Sequence, residues 1–335
     1  MRILFLGPTY VGDAVVASGL LDHLSRTDGD ARITVVCGKP AAPLLAQTPG
    51  VDRVLTFTKR RLHLHWWDIW RACVGRRWDW VVDLRASGLA YMLRARRRSV
   101  YTPKPEREYG HRTERWAHAM GLPTLPRPRL HPTPAQVEKA RSLIPDGPPV
   151  IGIAPTANWA GKIWPIERFA ALAERLTGTD GPFPGARVAV FGADADRPAV
   201  APLIAAIPRD RCIDLVGRTD LMTAYAALTR CALFVGNDSG LLYMSVAADI
   251  PAVGLVGPSL TLFGPAQPPL VAPWARKTAI VRTPITYEEF ISAPGYDHRT
   301  TGTLMETLTV DAAEAGVLGL LARLDATAAA PAPAA

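Results

Sequence analysis

The polar turn at residues 236–240 (GNDSG) has the residue types and spacing of an anion-binding site. It follows a buried-strand pattern that ends at Val235 and precedes a helical pattern that begins at Leu241. In open α/β sheets, ligands bind where a strand gives way to a helix, and the free N–H groups of that helix favour a phosphate. Asp238 and Ser239 can instead act only as caps of the helix, and the sequence leaves both interpretations open.

Asp13 is a candidate general base. It closes the loop 7–13 (GPTYVGD), which joins a strand pattern over 2–6 to a helical pattern over 14–25. A carboxylate exposed at the C-terminal end of a strand can accept a proton from a substrate hydroxyl. At the start of a helix it can also serve only as a charge that the helix dipole favours. The loop lacks the G-x-G-x-x-G fingerprint, so dinucleotide binding is only weakly indicated.

Two more polar loops follow strand patterns in the second half of the chain. Lys162 follows the strand pattern of 150–154, and it can contact a phosphate as a point charge or simply lie exposed. Asp196 follows the strand pattern of 186–191, where a carboxylate can bind ribose hydroxyls or be ordinary loop charge. The role of each side chain therefore depends on what the fold brings beside it.

The strand and helix patterns that position these groups alternate along the chain, which predicts parallel, doubly wound α/β sheets. The length of 335 residues and the hydrophobic content of 48% suit two domains, each with its own core. We expect the first domain at 1–148 and the second at 149–325, joined by a linker rich in proline and glycine at 145–149. The Ala- and Pro-rich residues 326–335 are expected to be disordered.

The charge is unevenly divided between the two halves of the chain. Residues 1–148 contain 24 Lys and Arg against 13 Asp and Glu, whereas residues 149–335 contain 14 against 17. The first half should therefore meet an anionic partner, such as nucleic acid, an anionic membrane surface or a phosphorylated lipid. No recognisable nucleic-acid-binding module accompanies the basic residues, so we expect no nucleic acid.

The segment 59–80 combines tryptophans with cations, which is typical of a membrane interface. Its tryptophans can equally pack onto the sheet, and the sequence leaves this choice open. We expect His63 and His65 to be surface residues, because a spacing of two on a helix is poor for holding one metal ion between them.

Two further basic segments offer contacts for an anionic acceptor. The first is a run of arginines at Arg94, Arg96, Arg97 and Arg98. Such a run usually forms a solvated face, yet it suits a phosphate or an anionic lipid. The second is the polar, aromatic and basic segment 106–118, whose candidates for gripping an acceptor include Arg107, His111 and Arg112.

Targeting and redox signals are weak in this sequence. The first strand pattern is broken too early for the apolar core of a signal peptide, and no apolar run approaches the roughly 18 residues of a membrane span. These features predict a cytoplasmic protein. The four cysteines are scattered without paired spacing, so they indicate neither a disulfide framework nor a zinc site.

A set of motifs in this chain resembles, in order, those of glycosyltransferase family 9, the ADP-heptose:lipopolysaccharide heptosyltransferases. The motifs are VGD (11–13), DWVVDLRASGL (79–89), KIWP (162–165), GADADR (192–197), GNDSGL (236–241) and LTVDAAEAGVLGLL (308–321). Each motif is weak alone, but their common order covers most of the chain. The acceptor half matches more loosely than the donor half.

The resemblance implies a GT-B fold, in which two Rossmann-like domains face each other across a cleft. It implies an inverting transfer without a metal or other cofactor, in which Asp13 deprotonates the acceptor hydroxyl. The expected donor and phosphate contacts are Thr156, Lys162, Asp196, Asp238, Ser239, Gly240 and Tyr243. The expected acceptor contacts are Arg85, Arg107, His111 and Arg112.

The implied donor is a nucleotide-sugar, with ADP-heptose favoured, and the implied acceptor is an anionic glycolipid such as a lipopolysaccharide core. The departing diphosphate would be stabilised by Lys162 and by the helix N-terminus at Ser239 and Gly240. We expect the enzyme to work at the inner face of the cytoplasmic membrane. Tyr243 stands where family members often have histidine, so the identity of the transferred sugar stays open.

Three alternatives remain beside this interpretation. A nucleotide-binding oxidoreductase is disfavoured by the missing G-x-G-x-x-G fingerprint. A non-catalytic protein that keeps the fold and binds a sugar or nucleotide is favoured by the Tyr243 departure. A glycosyltransferase with a different nucleotide-sugar donor fits the same motifs. Tight binding of NAD, or selective binding of UDP or GDP, would distinguish the first and third from ADP-sugar transfer.

Overall fold

The computed structural model describes residues 1–58, 60–61, 64–103, 112–258, 276–285, 288–289, 292, 297 and 302–329. The chain divides into two compact units, Met1–Thr133 and Pro134–Ala335, each with its own parallel sheet. This confirms the predicted pair of parallel-sheet α/β domains. The division precedes the boundary expected at 148, because the helix that begins at Pro134 packs against a helix of the second unit.

The first unit is built on a five-stranded parallel sheet of order β3-β2-β1-β4-β5. Its strands are β1 (Arg2–Leu6), β2 (Arg32–Gly38), β3 (Val51–Phe57), β4 (Trp78–Asp83) and β5 (Ala95–Val100). Its helices are α1 (Val11–Thr27), α2 (Ala42–Leu45), α3 (His65–Cys73) and α4 (Arg112–Ala119). Leu6 pairs in register with Asp83, so the loops that follow β1 and β4 leave the sheet side by side.

The second unit is built on a six-stranded parallel sheet of order β11-β10-β9-β6-β7-β8. Its strands are β6 (Val150–Ala154), β7 (Arg187–Val190), β8 (Cys212–Asp214), β9 (Leu233–Asn237), β10 (Ala252–Val256) and β11 (Thr278–Arg282). Its helices are α5 (Pro134–Leu143), α6 (Ile166–Thr177), α7 (Arg197–Ala206), α8 (Leu221–Leu228), α9 (Gly240–Ala247) and α10 (Val310–Ala329). Strands β6, β9 and β10 are buried throughout, as expected of a parallel sheet covered on both faces.

The closing helix α10 lies directly on the sheet of the second unit. It packs against α6, β10 and β11, and its Val317 and Leu320 are fully buried in the core. Gly316 permits the close approach, because a Cβ atom built there would lie 2.3 Å from the side chain of Val281. α10 continues to Ala329, so residues 326–329 are helical rather than disordered as expected; residues 330–335 lie outside the described part of the chain.

The predicted run of arginines lies on and beside the edge strand β5 and is partly structural. The guanidinium of Arg97 stacks over the Trp80 ring at 3.7 Å and donates a hydrogen bond to the carbonyl of Met120. The guanidinium of Arg98 donates to the carbonyls of Ala90, Leu93 and Ala95. These two arginines therefore hold the end of the sheet together instead of forming a freely solvated face.

The tryptophans of the segment 59–80 divide between the core and the surface. Trp66 and Trp70 pack partly against the core of the first unit, whereas the side chain of Trp67 is exposed. The prediction of a surface histidine is wrong for His65, which is buried because its ring stacks on Phe57 at 5.2 Å. His63 lies outside the described residues.

Candidate functional site

Asn237 ties together the loops at the C-terminal edge of the second sheet. It ends β9 and is fully buried. Its amide oxygen accepts the N–H of Trp164 at 3.1 Å, and its amide nitrogen donates to the carbonyl of Pro155 at 2.7 Å. Because a buried amide must be hydrogen-bonded, Asn237 fixes both ends of the loop that carries Lys162.

Asp238 and Lys162 form a buried ion pair at this edge. The Lys162 ammonium lies 3.2 Å from one carboxylate oxygen of Asp238, and the hydroxyl of Tyr243 donates to the other oxygen at 3.0 Å. The side chains of Asp238 and Lys162 are 1% and 14% exposed. A buried carboxylate needs a counter-charge and hydrogen bonds, and these two partners supply them. The pair holds the Lys162 ammonium in place.

The N-terminus of α9 lacks a side-chain cap. Ser239 is its N-cap residue in extended conformation, but its hydroxyl makes no capping hydrogen bond. The Ser239 Oγ atom is buried and has no hydrogen-bond partner within the described part of the chain. The capping interpretation is therefore wrong for Ser239. An uncapped helix end that begins at Gly240, with a buried hydroxyl beside it, is suited to receive an anion.

Thr156 and Asp196 are brought into direct contact at a neighbouring loop pair. The Thr156 hydroxyl donates to Oδ2 of Asp196 at 3.0 Å, and the backbone N–H of Ala193 donates to the same oxygen at 2.8 Å. Oδ1 of Asp196 receives no hydrogen bond from any residue that the structure describes. One carboxylate oxygen thus fixes the loop, and the other is left to accept from a ligand.

Arg282 is a cation of this edge that the sequence reasoning missed. It ends β11, where it pairs in register with Val256 of β10. Burial lowers the pKa of Arg282 below its usual value, and the nearby Asp238 carboxylate opposes that shift. The sequence does indicate its position, because the apolar run 279–281 is a short strand pattern and Arg282 follows it directly.

In the first unit, Asp13 lies in the first turn of α1, which begins at Val11, earlier than the predicted start at residue 14. Its side chain is half-buried and interacts electrostatically with Arg85. The Arg85 guanidinium donates to the Thr9 hydroxyl at 2.6 Å. Burial lowers the pKa of Arg85, while Asp83, Asp13 and Tyr10 oppose the shift. The predicted base and one predicted acceptor residue are therefore neighbours.

The loop after β4 is shaped by Asp83, another residue whose role the sequence did not reveal. Asp83 is fully buried, and its carboxylate accepts the backbone N–H of Arg85 at 2.8 Å. It also accepts the N–H and the hydroxyl of Ser87, at 3.1 and 2.8 Å. Ala86 between them adopts a left-handed conformation with φ of 51°. Asp83 thereby folds the loop that presents Arg85.

The remaining acceptor candidates are only partly visible. Arg112 begins α4, whereas Arg107 and His111 lie outside the described residues. Across the described part of the chain, no group of His, Cys, Asp and Glu is arranged to hold a metal ion. Within the same ranges, no helix has the length and apolar character needed to span a bilayer. All four cysteines are free thiols.

Comparison with known proteins relates the chain to one family. The family described as "Glycosyltransferase family 9 (heptosyltransferase)" matches residues 85–291. Lipooligosaccharide heptosyltransferase 2 of Haemophilus influenzae is 25% identical over 320 residues, which covers 84% of this chain and 88% of that protein.

Solved structures show the same fold. The ADP-heptose LPS heptosyltransferase II of E. coli superimposes with a TM-score of 0.69 at 22% identity, covering 97% of this chain and 100% of that one. The glycosyl transferase family 9 structure from Veillonella parvula gives a TM-score of 0.71 at 20% identity, covering 96% and 97%. At these identities the structural likeness bears on the fold alone.

Proposed function

Because this chain belongs to glycosyltransferase family 9, we propose that it transfers heptose from ADP-heptose to an anionic glycolipid, such as a lipopolysaccharide core. The family membership makes the protein a glycosyltransferase and removes the oxidoreductase alternative. The names of its relatives support heptose as the sugar and lipooligosaccharide or lipopolysaccharide as the product class.

The observation that carries the proposal is the uncapped N-terminus of α9 beside Lys162. Ser239 Oγ is buried and has no hydrogen-bond partner among the described residues, and the ammonium of Lys162 is held by the preceding residue, Asp238. A diphosphate would satisfy the N-terminus of α9, because its oxygens accept hydrogen bonds from the helix N–H groups and from the Ser239 hydroxyl. The Lys162 ammonium has three donors, so it can contact phosphate while still paired with Asp238.

The same groups would stabilise the leaving group of the reaction. Negative charge develops on the diphosphate oxygen as its bond to the anomeric carbon breaks. Lys162 and Arg282 place two positive charges around the single negative charge of Asp238. We propose that these groups and the α9 helix end neutralise the leaving diphosphate without a metal ion.

The nucleoside and sugar ends of the donor have their own proposed contacts. Asp196 would accept from the ribose hydroxyls through Oδ1, because Thr156 already holds Oδ2. Tyr243 would support the sugar side indirectly, since its hydroxyl orients the Asp238 carboxylate. A tyrosine can fill the position of the family's histidine in this way while donating a hydrogen bond.

We propose Asp13 as the general base of an inverting transfer. Its carboxylate would take the proton of the acceptor hydroxyl as that oxygen bonds to the anomeric carbon and ADP departs from the opposite face. The charge of Arg85 beside it favours an anionic acceptor. Arg107, His111 and Arg112 would extend these acceptor contacts.

We also propose where the reaction takes place and what the protein meets there. The basic first half suits the phosphorylated surface in which a lipid-linked acceptor resides, so the enzyme would bind peripherally to the inner face of the cytoplasmic membrane. No nucleic acid is required by this account.

The experiment is a transfer assay with the purified full chain. ADP-heptose is supplied with a detergent-dissolved lipopolysaccharide-core acceptor that lacks heptose and, in parallel, with the same acceptor already carrying one heptose. Mass spectrometry of the lipid product should show the gain of one heptose on one of these acceptors. No product on either acceptor, with ADP binding intact, would contradict this acceptor class and favour a non-catalytic role.

A further inference from the structure

The outer side of helix α3 carries apolar residues where water-facing residues are expected. Leu64, just before the helix, and Trp67 in its first turn are 52% and 55% exposed, and Arg71 follows on the same side. The opposite side is buried through Ile69 and Cys73. The indole of Trp67 stacks on that of Trp70 at 4.8 Å, so the exposed ring rests on a side chain that is itself packed against the core.

The same region is strongly basic. Residues 59–77 contain six Lys and Arg and one acidic residue, Asp68. Arg60 is paired with Asp68 at 2.6 Å. The exposed Arg61 and Arg71 form no ion pair with any residue in the described ranges, unlike Arg97 and Arg98, which are held by backbone carbonyls. The cations of α3 therefore remain able to bind an external anion.

From this combination we propose that Arg61, Leu64, Trp67 and Arg71, here called the α3 patch, dock the first unit on an anionic lipid bilayer. Tryptophan favours the headgroup level of a bilayer, leucine the boundary with the acyl chains, and arginine the lipid phosphates. A nucleic-acid-binding surface would explain the exposed cations equally well, but it would not explain the exposed Leu64. This inference names the surface for the membrane contact that the proposed function includes.

The α3 patch adjoins the residues proposed to receive the acceptor. On the inner side of the helix, the Trp66 ring lies 5.5 Å from the guanidinium of Arg85, and Phe57 at the end of β3 lies 5.1 Å from it. Arg85 in turn interacts with Asp13. A bilayer that holds the α3 patch would therefore keep a lipid-linked acceptor close to the proposed base.

Co-sedimentation of the full chain with lipid vesicles tests the proposal. Vesicles of phosphatidylcholine alone are compared with vesicles that contain phosphatidylglycerol in phosphatidylcholine. We expect binding only to the anionic vesicles, and weaker binding at high salt. The double variants L64S/W67S and R61Q/R71Q should each lower the partition coefficient by about tenfold or more, because each removes one of the two attractions.

A matched control comes from the second unit. Leu318 is 45% exposed on α10, and Arg141 is exposed on α5, so L318S/R141Q removes one exposed apolar side chain and one exposed cation outside the α3 patch. This variant should bind anionic vesicles as the unchanged protein does. Thermal melting of all variants shows whether each is folded, and the R61Q/R71Q pair keeps the apolar side chains in place.

Two results would overturn the docking surface. One is vesicle binding that neither α3 double variant weakens; the other is equal binding to neutral and anionic vesicles. Preferential binding of an oligonucleotide that both α3 variants abolish, without vesicle binding, would reassign the patch to nucleic acid. ADP affinity and transfer to detergent-dissolved acceptor should be unchanged in both variants, so failure of docking is distinguishable from failure of the proposed function.

Discussion

The two units satisfy a buried carboxylate at equivalent sheet edges in different ways. In the first unit, Asp83 accepts hydrogen bonds from Arg85 and Ser87 within its own loop. In the second unit, Asp238 is paired with Lys162, which is 76 residues away in sequence, and with Tyr243 of the next helix. The local arrangement shapes one loop, whereas the long-range charge pair joins two loops that are distant in sequence.

The difference extends to what each site leaves unsatisfied. Around Asp238, the helix end lacks a side-chain cap, and the Ser239 hydroxyl has no partner within the described part of the chain, so both groups can receive the proposed diphosphate. Around Asp83, the carboxylate is fully engaged, and the reactive candidate is the neighbouring, half-buried Asp13. We infer that the second unit supplies binding of the donor and the first unit supplies the proton acceptor.

The largest expected effect separates these two roles. Asp13→Asn should lower the transfer rate by about 10²- to 10⁴-fold, because the general base is lost. ADP affinity should stay within about twofold, because Asp13 is not a donor contact in this account. Transfer kinetics and calorimetry on the same preparation measure both quantities. Asp30→Asn, an exposed carboxylate beyond the far end of α1, is the control and should alter neither.

The next effect compares how much the two buried carboxylates contribute to the free energy of unfolding of the protein. Asp238→Asn should lower the free energy of unfolding by about 3 kcal/mol, because it leaves the mostly buried Lys162 without its counter-charge. Asp83→Asn should cost less, about 1 to 2 kcal/mol, since it weakens hydrogen bonds from neutral donors and leaves Arg85 with the charge of Asp13 nearby. Urea unfolding of each variant provides the comparison. Equal costs would mean that the ion pair contributes no more than the loop contacts.

A smaller effect compares two helix N-caps within the second unit. Ser239→Ala should leave stability unchanged within about 0.5 kcal/mol, because its hydroxyl caps nothing. It should weaken ADP binding by about three- to tenfold through one lost hydrogen bond. Asp220 does cap α8, where it accepts the Thr223 N–H at 2.8 Å. Asp220→Ala should therefore cost about 1 kcal/mol of stability and leave ADP affinity unchanged.

If Ser239→Ala destabilised the protein as much as Asp220→Ala, the helix end would be an ordinary capped terminus. The same would follow if Ser239→Ala had no effect on ADP affinity.

The smallest effect uses one buried thiol in each unit. Burial raises the pKa of Cys37 in the first unit and of Cys231 in the second to about 12. At pH 8 roughly one such thiol in 10,000 is ionised, so alkylation should report local opening. Saturating ADP should slow labelling of Cys231 and leave Cys37 unchanged, because the ligand stabilises the unit that binds it. Mass spectrometry of timed samples would give the labelling rate of each cysteine. An equal slowing of labelling at Cys37 and Cys231 would contradict a donor site confined to the second unit.

The order of elements could be predicted from the sequence because each polar loop follows a strand whose residues are locally apolar. Asp13, Lys162 and Asp238 were identified as candidates in this way, before the fold brought the last two together. The pairing of Lys162 with Asp238 could not be predicted, because the two residues lie in loops that follow different strands, β6 and β9. The absence of a Ser239 cap was equally inaccessible, because Ser239 is a favoured N-cap residue by type.

Other differences arose where packing between distant segments decided the outcome. His65 is buried because Phe57 of β3 lies under it, and Arg97 is structural because Trp80 of β4 lies under it. The unit boundary moved to Thr133 because α5 packs on α8 of the second unit, which its own sequence does not indicate. Arg282 was missed although the apolar run 279–281 before it indicates the edge strand β11.

The measurement that tests the donor site most directly is a calorimetric titration, without added metal, of ADP, UDP, GDP, CMP, AMP and NAD into the purified full chain. We expect ADP to bind most tightly, AMP at least about tenfold more weakly because it lacks one phosphate, and Lys162→Met to remove most of that difference. Preference for UDP or GDP would overturn the ADP-sugar donor. Equal affinities for ADP and AMP, or an unchanged difference in Lys162→Met, would contradict a diphosphate site at Lys162 and the N-terminus of α9.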